Sequence, residues 1–209
     1  MKRIGIMGGT FNPIHNGHLA IAEQARVQFL LEKVLFIPSG VPYMKDLQAV
    51  LPVSVRYEMT AAAIAGKPYF EISDIETADA AQGKNTYTYE TLQKLKTADP
   101  DAAYYFILGA DSLYDMDRWR NPDVIFQSCT VLAAVRGEEK ETSLRKELAA
   151  QIQYLQEKYH ASIAMLKMEG MDISSTQIRR CIKDGKSIQK MVPEAVAAYI
   201  QEHHLYEGS

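Results

Sequence analysis

Two histidines three positions apart, His15 and His18, close the segment Gly8-Gly9-Thr10-Phe11-Asn12-Pro13-Ile14-His15-Asn16-Gly17-His18. Adjacent glycines let backbone approach a ligand closely, and the proline stiffens the turn that carries the imidazoles. An apolar run over 2–7 precedes the segment and helical periodicity over 17–30 follows it. The segment therefore reads as the loop from a strand's carboxyl end into a helix, where α/β sheets place their ligands and where helix amides favour an anion. Both imidazoles are placed to donate to one phosphate group, and a bound phosphate favours their protonated form. A single histidine at a helix start caps or packs, but glycines, proline and paired histidines together share no packing role.

A second anion signal is Ile173-Ser174-Ser175-Thr176-Gln177-Ile178-Arg179-Arg180. Ser174 and Gln177 form a capping box for a short helix, while three hydroxyls at its positive end, with Arg179 and Arg180, make an anion cradle. The two readings are compatible. Neither G-x-G-x-x-G nor G-x-x-x-x-G-K-S/T occurs, so a dinucleotide dehydrogenase and a P-loop NTPase are not indicated.

The elements that must position these blocks alternate along the chain. Strands are expected at 2–7, 33–37, 69–73, 103–108, 129–135 and 162–167, and helices at 17–30, 53–65, 88–97 and 142–159, each long enough to carry the chain between parallel neighbours. The pattern predicts an α/β, Rossmann-like doubly wound parallel sheet. The segments 38–52 and 74–86 interrupt it as functional loops or surface connections. From about 174 the chain reads as two helices packed on the active-site side, the second starting with Pro193 in its first turn. The whole, 1–209, reads as a single domain with no repeats.

Composition narrows the class. With 209 residues, roughly 70% of the unfolded surface can be buried, so a core needs no staples. Lys plus Arg number 23 against 26 Asp plus Glu, a net charge of −3, which leaves no polyanion footprint and argues against nucleic acid as a partner. Cys129 and Cys181 stand far apart and outside any metal-binding spacing, as reduced structural thiols do. No apolar run reaches membrane-spanning length and the N-terminus lacks a signal-peptide core, so a cytoplasmic protein with no membrane partner is expected.

The histidine segment resembles the signature of the nucleotidyltransferase superfamily related to class I aminoacyl-tRNA synthetases, and the Ser-Ser-Thr-x-Ile-Arg block resembles that superfamily's second phosphate motif. The resemblance implies that His15 and His18 act on the ATP phosphates, with Gly8, Gly9 and Thr10 lining their path and Ser175, Thr176 and Arg179 holding the β and γ phosphates. Lys45, in Pro42-Tyr43-Met44-Lys45, matches the lysine of a family segment in which many relatives have histidine where Met44 stands. Some 160 residues separate the two motifs, so the fold must bring them together.

Further segments, Asn85-Thr86-Tyr87-Thr88-Tyr89-Glu90, Gly109-Ala110-Asp111-Ser112, Trp119 and Val135-Arg136-Gly137, taken in that order resemble the bacterial nicotinate-nucleotide adenylyltransferases over nearly the whole chain. The resemblance implies transfer of AMP from ATP to nicotinate mononucleotide. Thr86, Tyr87 and Thr88 would receive the nicotinate carboxylate on main-chain amides, and Trp119 would stack on the pyridine. Phe11, Gly109, Asp111 and Arg136 would touch the nucleotide and ribose. Read without the resemblance, Tyr87 and Trp119 are ordinary packing residues, Asp111 is a helix N-cap, and Arg136 is an exposed strand end. Mg²⁺ would be held by the ATP phosphates and water, with no dedicated protein ligands. The same chemistry with nicotinamide mononucleotide or phosphopantetheine as acceptor, or a non-catalytic adenine-nucleotide sensor, are the alternatives. The helix from Leu144 to Tyr159 is either a homo-oligomer contact or a cover for the sheet.

Overall fold

The computed structural model describes residues 1–41, 50–135, 142–168 and 173–207. Strands alternate with helices in the order β1 (Arg3–Gly9), α1 (Asn16–Gln28), β2 (Lys33–Pro38), α2 (Val53–Ile64), β3 (Phe70–Ile72), α3 (Thr77–Ala81), α4 (Thr88–Ala98), β4 (Ala103–Gly109), α5 (Pro122–Ser128), β5 (Thr130–Val135), α6 (Thr142–Tyr159), β6 (Ser162–Lys167), α7 (Ser175–Lys183) and α8 (Glu194–Glu202). The strands form one parallel sheet in the order β3-β2-β1-β4-β5-β6, the doubly wound α/β arrangement. The order reverses at β1, so its carboxyl end, Gly9, lies at the switch point where such sheets bind ligands. No helix among the described residues is long and apolar enough to cross a membrane.

The chain divides into two compact units. The first comprises Met1–Gly8, Ile21–Leu35 and Tyr87–Met171. In it β4 pairs with β1 and β5 in parallel, with Ile6 opposite Phe106 and Leu108 opposite Ala133. Val131, Leu132, Ala133 and Ala134 are all buried, the continuous apolar run expected of a strand covered on both faces. At the sheet edge only Leu166 of β6 is buried, and the Gln28 side-chain amide occupies the edge by donating to Lys167 O (2.7 Å) and accepting from Lys167 N (3.1 Å). That pairing blunts an edge otherwise open to another strand. Leu148 and Leu155 of α6 are buried, and the Gln151 amide donates to Leu113 O.

The second unit comprises Gly9–Ala20, Phe36–Thr86 and Asp172–Ser209. Its α2 buries Arg56, Met59, Thr60, Ala63 and Ile64, a stripe at helical spacing, and α8 packs on α2 with the Tyr199 hydroxyl donating to Glu58. Phe36 sits between Phe11 and Phe70, with ring centroids 6.1 and 5.0 Å away.

All six expected strands and four expected helices occur, with no end shifted by more than two residues. Four elements escaped the periodicity. α3 lies in the polar stretch 74–86 and buries no residue, so there was no apolar stripe to detect. Two 3-10 turns, Ala110–Tyr114 and Met116–Arg118, and the short α5, entered through left-handed Asn121 and Pro122, are too brief for a period to register. Pro193 is the N-cap of α8 rather than a first-turn residue: its ψ of 149° is extended, while its carbonyl already accepts from Val196 N.

Candidate active site

β1 delivers the chain into the Gly9–His18 loop. A Cβ on Gly9 would lie 2.8 Å from the Phe11 ring, so only glycine fits there. Phe11 itself takes a left-handed φ of 48° and is 2% exposed. Its ring stands edge-on to His18, centroids 5.1 Å apart, and His15 stacks on His18 at 3.7 Å and 27°. Phe11 thus supports the histidine pair from within the core.

The two imidazoles differ. His15 is 3% exposed and His18 is half-buried. His18 Nδ1 accepts from the backbone N–H of His15 at 3.2 Å. An accepting nitrogen carries no proton, so the ring hydrogen is on Nε2, which is a donor while the ring is neutral.

The second motif meets this loop. Ser174 is the N-cap of α7 and accepts from Gln177 N at 3.2 Å, as its capping-box spacing requires. Ser175 Oγ donates to Pro13 O at 2.9 Å. Arg179 Nη1 donates to Asn12 O at 2.8 Å and Nη2 reaches Thr176 Oγ1 at 3.4 Å. Hydroxyls, a guanidinium and the stacked histidines therefore lie around one loop, flanked by the amino ends of α1 and α7, both favourable to anions.

Arg56, absent from the sequence-level site, ties this loop to its neighbours. It is 1% exposed, and donates to Thr10 O (2.7 Å), Ser39 O (2.6 Å), Gly40 O (2.9 Å) and Leu51 O (2.9 Å). Four main-chain carbonyls replace the water lost on burial, and burial still lowers its pKa to about 10. The available signal was a charged residue on the apolar stripe Arg56-Met59-Thr60-Ala63-Ile64. Tyr206, near the end of the described chain, also went unread; its hydroxyl donates to Asn12 Oδ1 at 2.9 Å.

In the first unit, Tyr87 is the N-cap of α4 with extended backbone and makes no side-chain cap. The opening N–H groups of a helix lack intrahelical acceptors, so Thr88 stands at an amide end suited to a carboxylate. Arg120 lies over the Tyr87 ring at 4.8 Å and donates to its hydroxyl at 3.2 Å, which brings the residue next to Trp119 onto Tyr87. Trp119 is half-buried and edge-on to Phe106 at 6.2 Å. Gly109 ends β4 opposite Ala134 with open space on its Cβ side, and Asp111 is exposed inside the first 3-10 turn, whose N-cap is Gly109. Asp111 is thus within the turn, not its cap. Thr86, in the second unit, is 8% exposed, and Gly8 is exposed at the end of β1. Lys45 and Arg136 lie outside the described residues.

Comparison with known proteins gives a consistent picture. The cytidylyltransferase-like family model matches residues 6–181. Relatives carrying the name "probable nicotinate-nucleotide adenylyltransferase" include one of Lachnoclostridium phytofermentans, 39% identical over 99% of this chain and 100% of that protein. Another, of Citrifermentans bemidjiense, is 41% identical over 98% of each. Among solved structures, the Plasmodium falciparum nicotinic acid mononucleotide adenylyltransferase complexed with NaAD matches at a TM-score of 0.78 and 19% identity, covering 99% of this chain and 98% of that one. At that identity the match concerns the fold.

Proposed function

The chain belongs to the cytidylyltransferase-like family and, within it, to the nicotinate-nucleotide adenylyltransferases, and from that premise we propose how its residues transfer AMP from ATP to nicotinate mononucleotide in NAD biosynthesis. A phosphate oxygen of the mononucleotide attacks the ATP α-phosphorus in line. The bond from that phosphorus to the bridging oxygen breaks, and pyrophosphate leaves with the electron pair. The acceptor is already ionised near neutral pH, so the protein's task is alignment and charge stabilisation without a covalent intermediate.

The observation that carries this reading is the joining of the two phosphate motifs, Ser175 to Pro13 and Arg179 to Asn12. His18, donating from Nε2, and His15 stabilise charge growing at the α-phosphate and leaving group. Gly8, Gly9 and Thr10 line the phosphate path, and Ser175, Thr176 and Arg179 hold the β and γ phosphates. Phe11 acts through His18, which it orients. Lys45 on the phosphates and Arg136 on the adenosine side complete the assignment by resemblance, with Gly109 and Asp111 at the ribose. This donor set of imidazole, guanidinium and hydroxyl groups suits phosphate oxygens and not a hard cation, so Mg²⁺, when bound, would be held by the ATP phosphates and would supply positive charge to the leaving pyrophosphate.

Thr86, Tyr87 and Thr88, at the amino end of α4, receive the nicotinate carboxylate, and Trp119 faces the pyridine. A neutral carboxamide would place an NH₂ donor against amide donors, which favours the acid. Residues 1–209 act as one nucleotidyltransferase domain, a reading supported by a relative that aligns over 99% of this chain, and the domain works in the cytoplasm.

The test is pyrophosphate release with MgATP and, in parallel, nicotinate mononucleotide, nicotinamide mononucleotide and phosphopantetheine. Strong preference for the nicotinate form is expected. Preference for another acceptor would discard the Tyr87/Thr88/Trp119 subsite, and nucleotide binding without release from any acceptor would make the protein a sensor.

A further inference from the structure

The chain leaves α8 through a reversal that normally uses glycine. His203 is the C-cap, His204 takes a left-handed φ of 49°, and the bonds Leu205 N to Ile200 O (3.0 Å) and His204 N to Gln201 O (3.3 Å) complete the 6→1 and 5→2 pattern. Two residues later Tyr206 is again left-handed, with φ 64°. His204 Nδ1 lies 3.1 Å from the Glu207 carboxylate across the same turn. Non-glycine residues keep such conformations only where surrounding contacts over-determine them.

The contact that this turn creates is specific. Its result is that the Tyr206 hydroxyl donates to Asn12 Oδ1 at 2.9 Å, across 194 positions of sequence. The same oxygen accepts from Leu51 N at 3.3 Å, and the Asn12 carbonyl accepts from Arg179. One asparagine is thus gripped through its side chain by the C-terminal turn and through its backbone by the second phosphate motif. Burial raises the Tyr206 pKa although Arg179 and Arg56 oppose the shift, so the phenol stays a donor at working pH.

We propose that Tyr206 is a positioning residue of the phosphate site: by fixing Asn12 it holds the Phe11–His15 loop and the Arg179 guanidinium in the arrangement that receives the ATP phosphates. The inference rests on the phosphate site proposed above. Tyr206 touches no reacting atom in this scheme and acts through Asn12 and Arg179. It is specific to the nucleoside triphosphate, because the acceptor subsite is built from other segments.

Tyr206→Phe removes the hydroxyl and keeps the ring. Steady-state rates are measured with MgATP varied at saturating nicotinate mononucleotide, then with the roles exchanged, alongside the melting temperature. The expected result is a KM for ATP raised roughly fivefold, as loss of one net hydrogen bond predicts, with kcat and the acceptor KM within about twofold. An unchanged KM for ATP, or an equal rise in both KM values, overturns the proposal, whatever the melting temperature does. Failure of the parent protein to release pyrophosphate overturns the phosphate-site reading itself and is seen before the variant is compared.

Discussion

The Arg179 guanidinium donates to the carbonyl oxygen of Asn12 at 2.8 Å, 167 positions away in sequence. This bond commits one arm of the arginine to the loop backbone, and with the Nη2 contact to Thr176 Oγ1 it aims the planar group. It is the point at which the two sequence motifs become one site.

Gly17 lies in the first turn of α1, and a Cβ there would sit 3.0 Å from His15 Nδ1 and 3.1 Å from its Cε1. Gly17→Ala makes the His15 ring give by a few tenths of an ångström, which disturbs its 3.7 Å stack on His18. Alanine is the better helix residue by up to about 1 kcal/mol, so stability holds while turnover falls about tenfold. A thermal melt and kcat on one preparation read both; unchanged kcat would sink the argument.

His18→Ala removes the Nε2 donor and is expected to lower kcat by about 10²–10³, with the melting temperature nearly unchanged. Because Nδ1 accepts the His15 amide, the donor lost is the one on Nε2. A fall in melting temperature that accounts for the whole loss of activity would mean that His18 serves the fold and not the phosphates.

Arg56→Met leaves four main-chain carbonyls without their donor. The loss of stability should be on the order of 3 kcal/mol, read as a lower urea midpoint. Arg56→Lys offers fewer donors from a single centre and should recover only part of it. Full recovery by lysine would mean that charge, and not the fork-shaped reach of the guanidinium, is what the site uses.

Cys129 is buried, its thiol donates to Ile125 O, and burial pushes its pKa from 9.0 up to about 12. A raised folded-state pKa stabilises the fold fully below the unfolded value and loses that contribution as pH rises through about 12. Denaturation midpoints should therefore fall between pH 9 and 12, less steeply in Cys129→Ala. At pH 8 a thiol reagent should modify the half-buried Cys181 promptly and Cys129 only on unfolding. Two equally fast thiols would contradict the packing around α5.

Much of this protein was determined by sequence alone because the signals are local. Strands such as Val131–Ala134 announce themselves as apolar runs, and the helix after Ser174 by its capping box. Each depends on residues a few positions apart. The composition of the two phosphate blocks was legible for the same reason. Their meeting was only required, never visible, since the Ser175–Pro13 bond spans 162 positions.

The tertiary structure decided what those residues do to one another. It set the Phe11 ring edge-on to His18, gave His18 Nδ1 the His15 amide as a donor, and recruited Arg56 and Tyr206. No periodicity marks these roles, because each is set by sheet order and chain reversal rather than by neighbours in sequence. A side chain's partner 46 or 194 positions away is known only when the whole chain has closed around it.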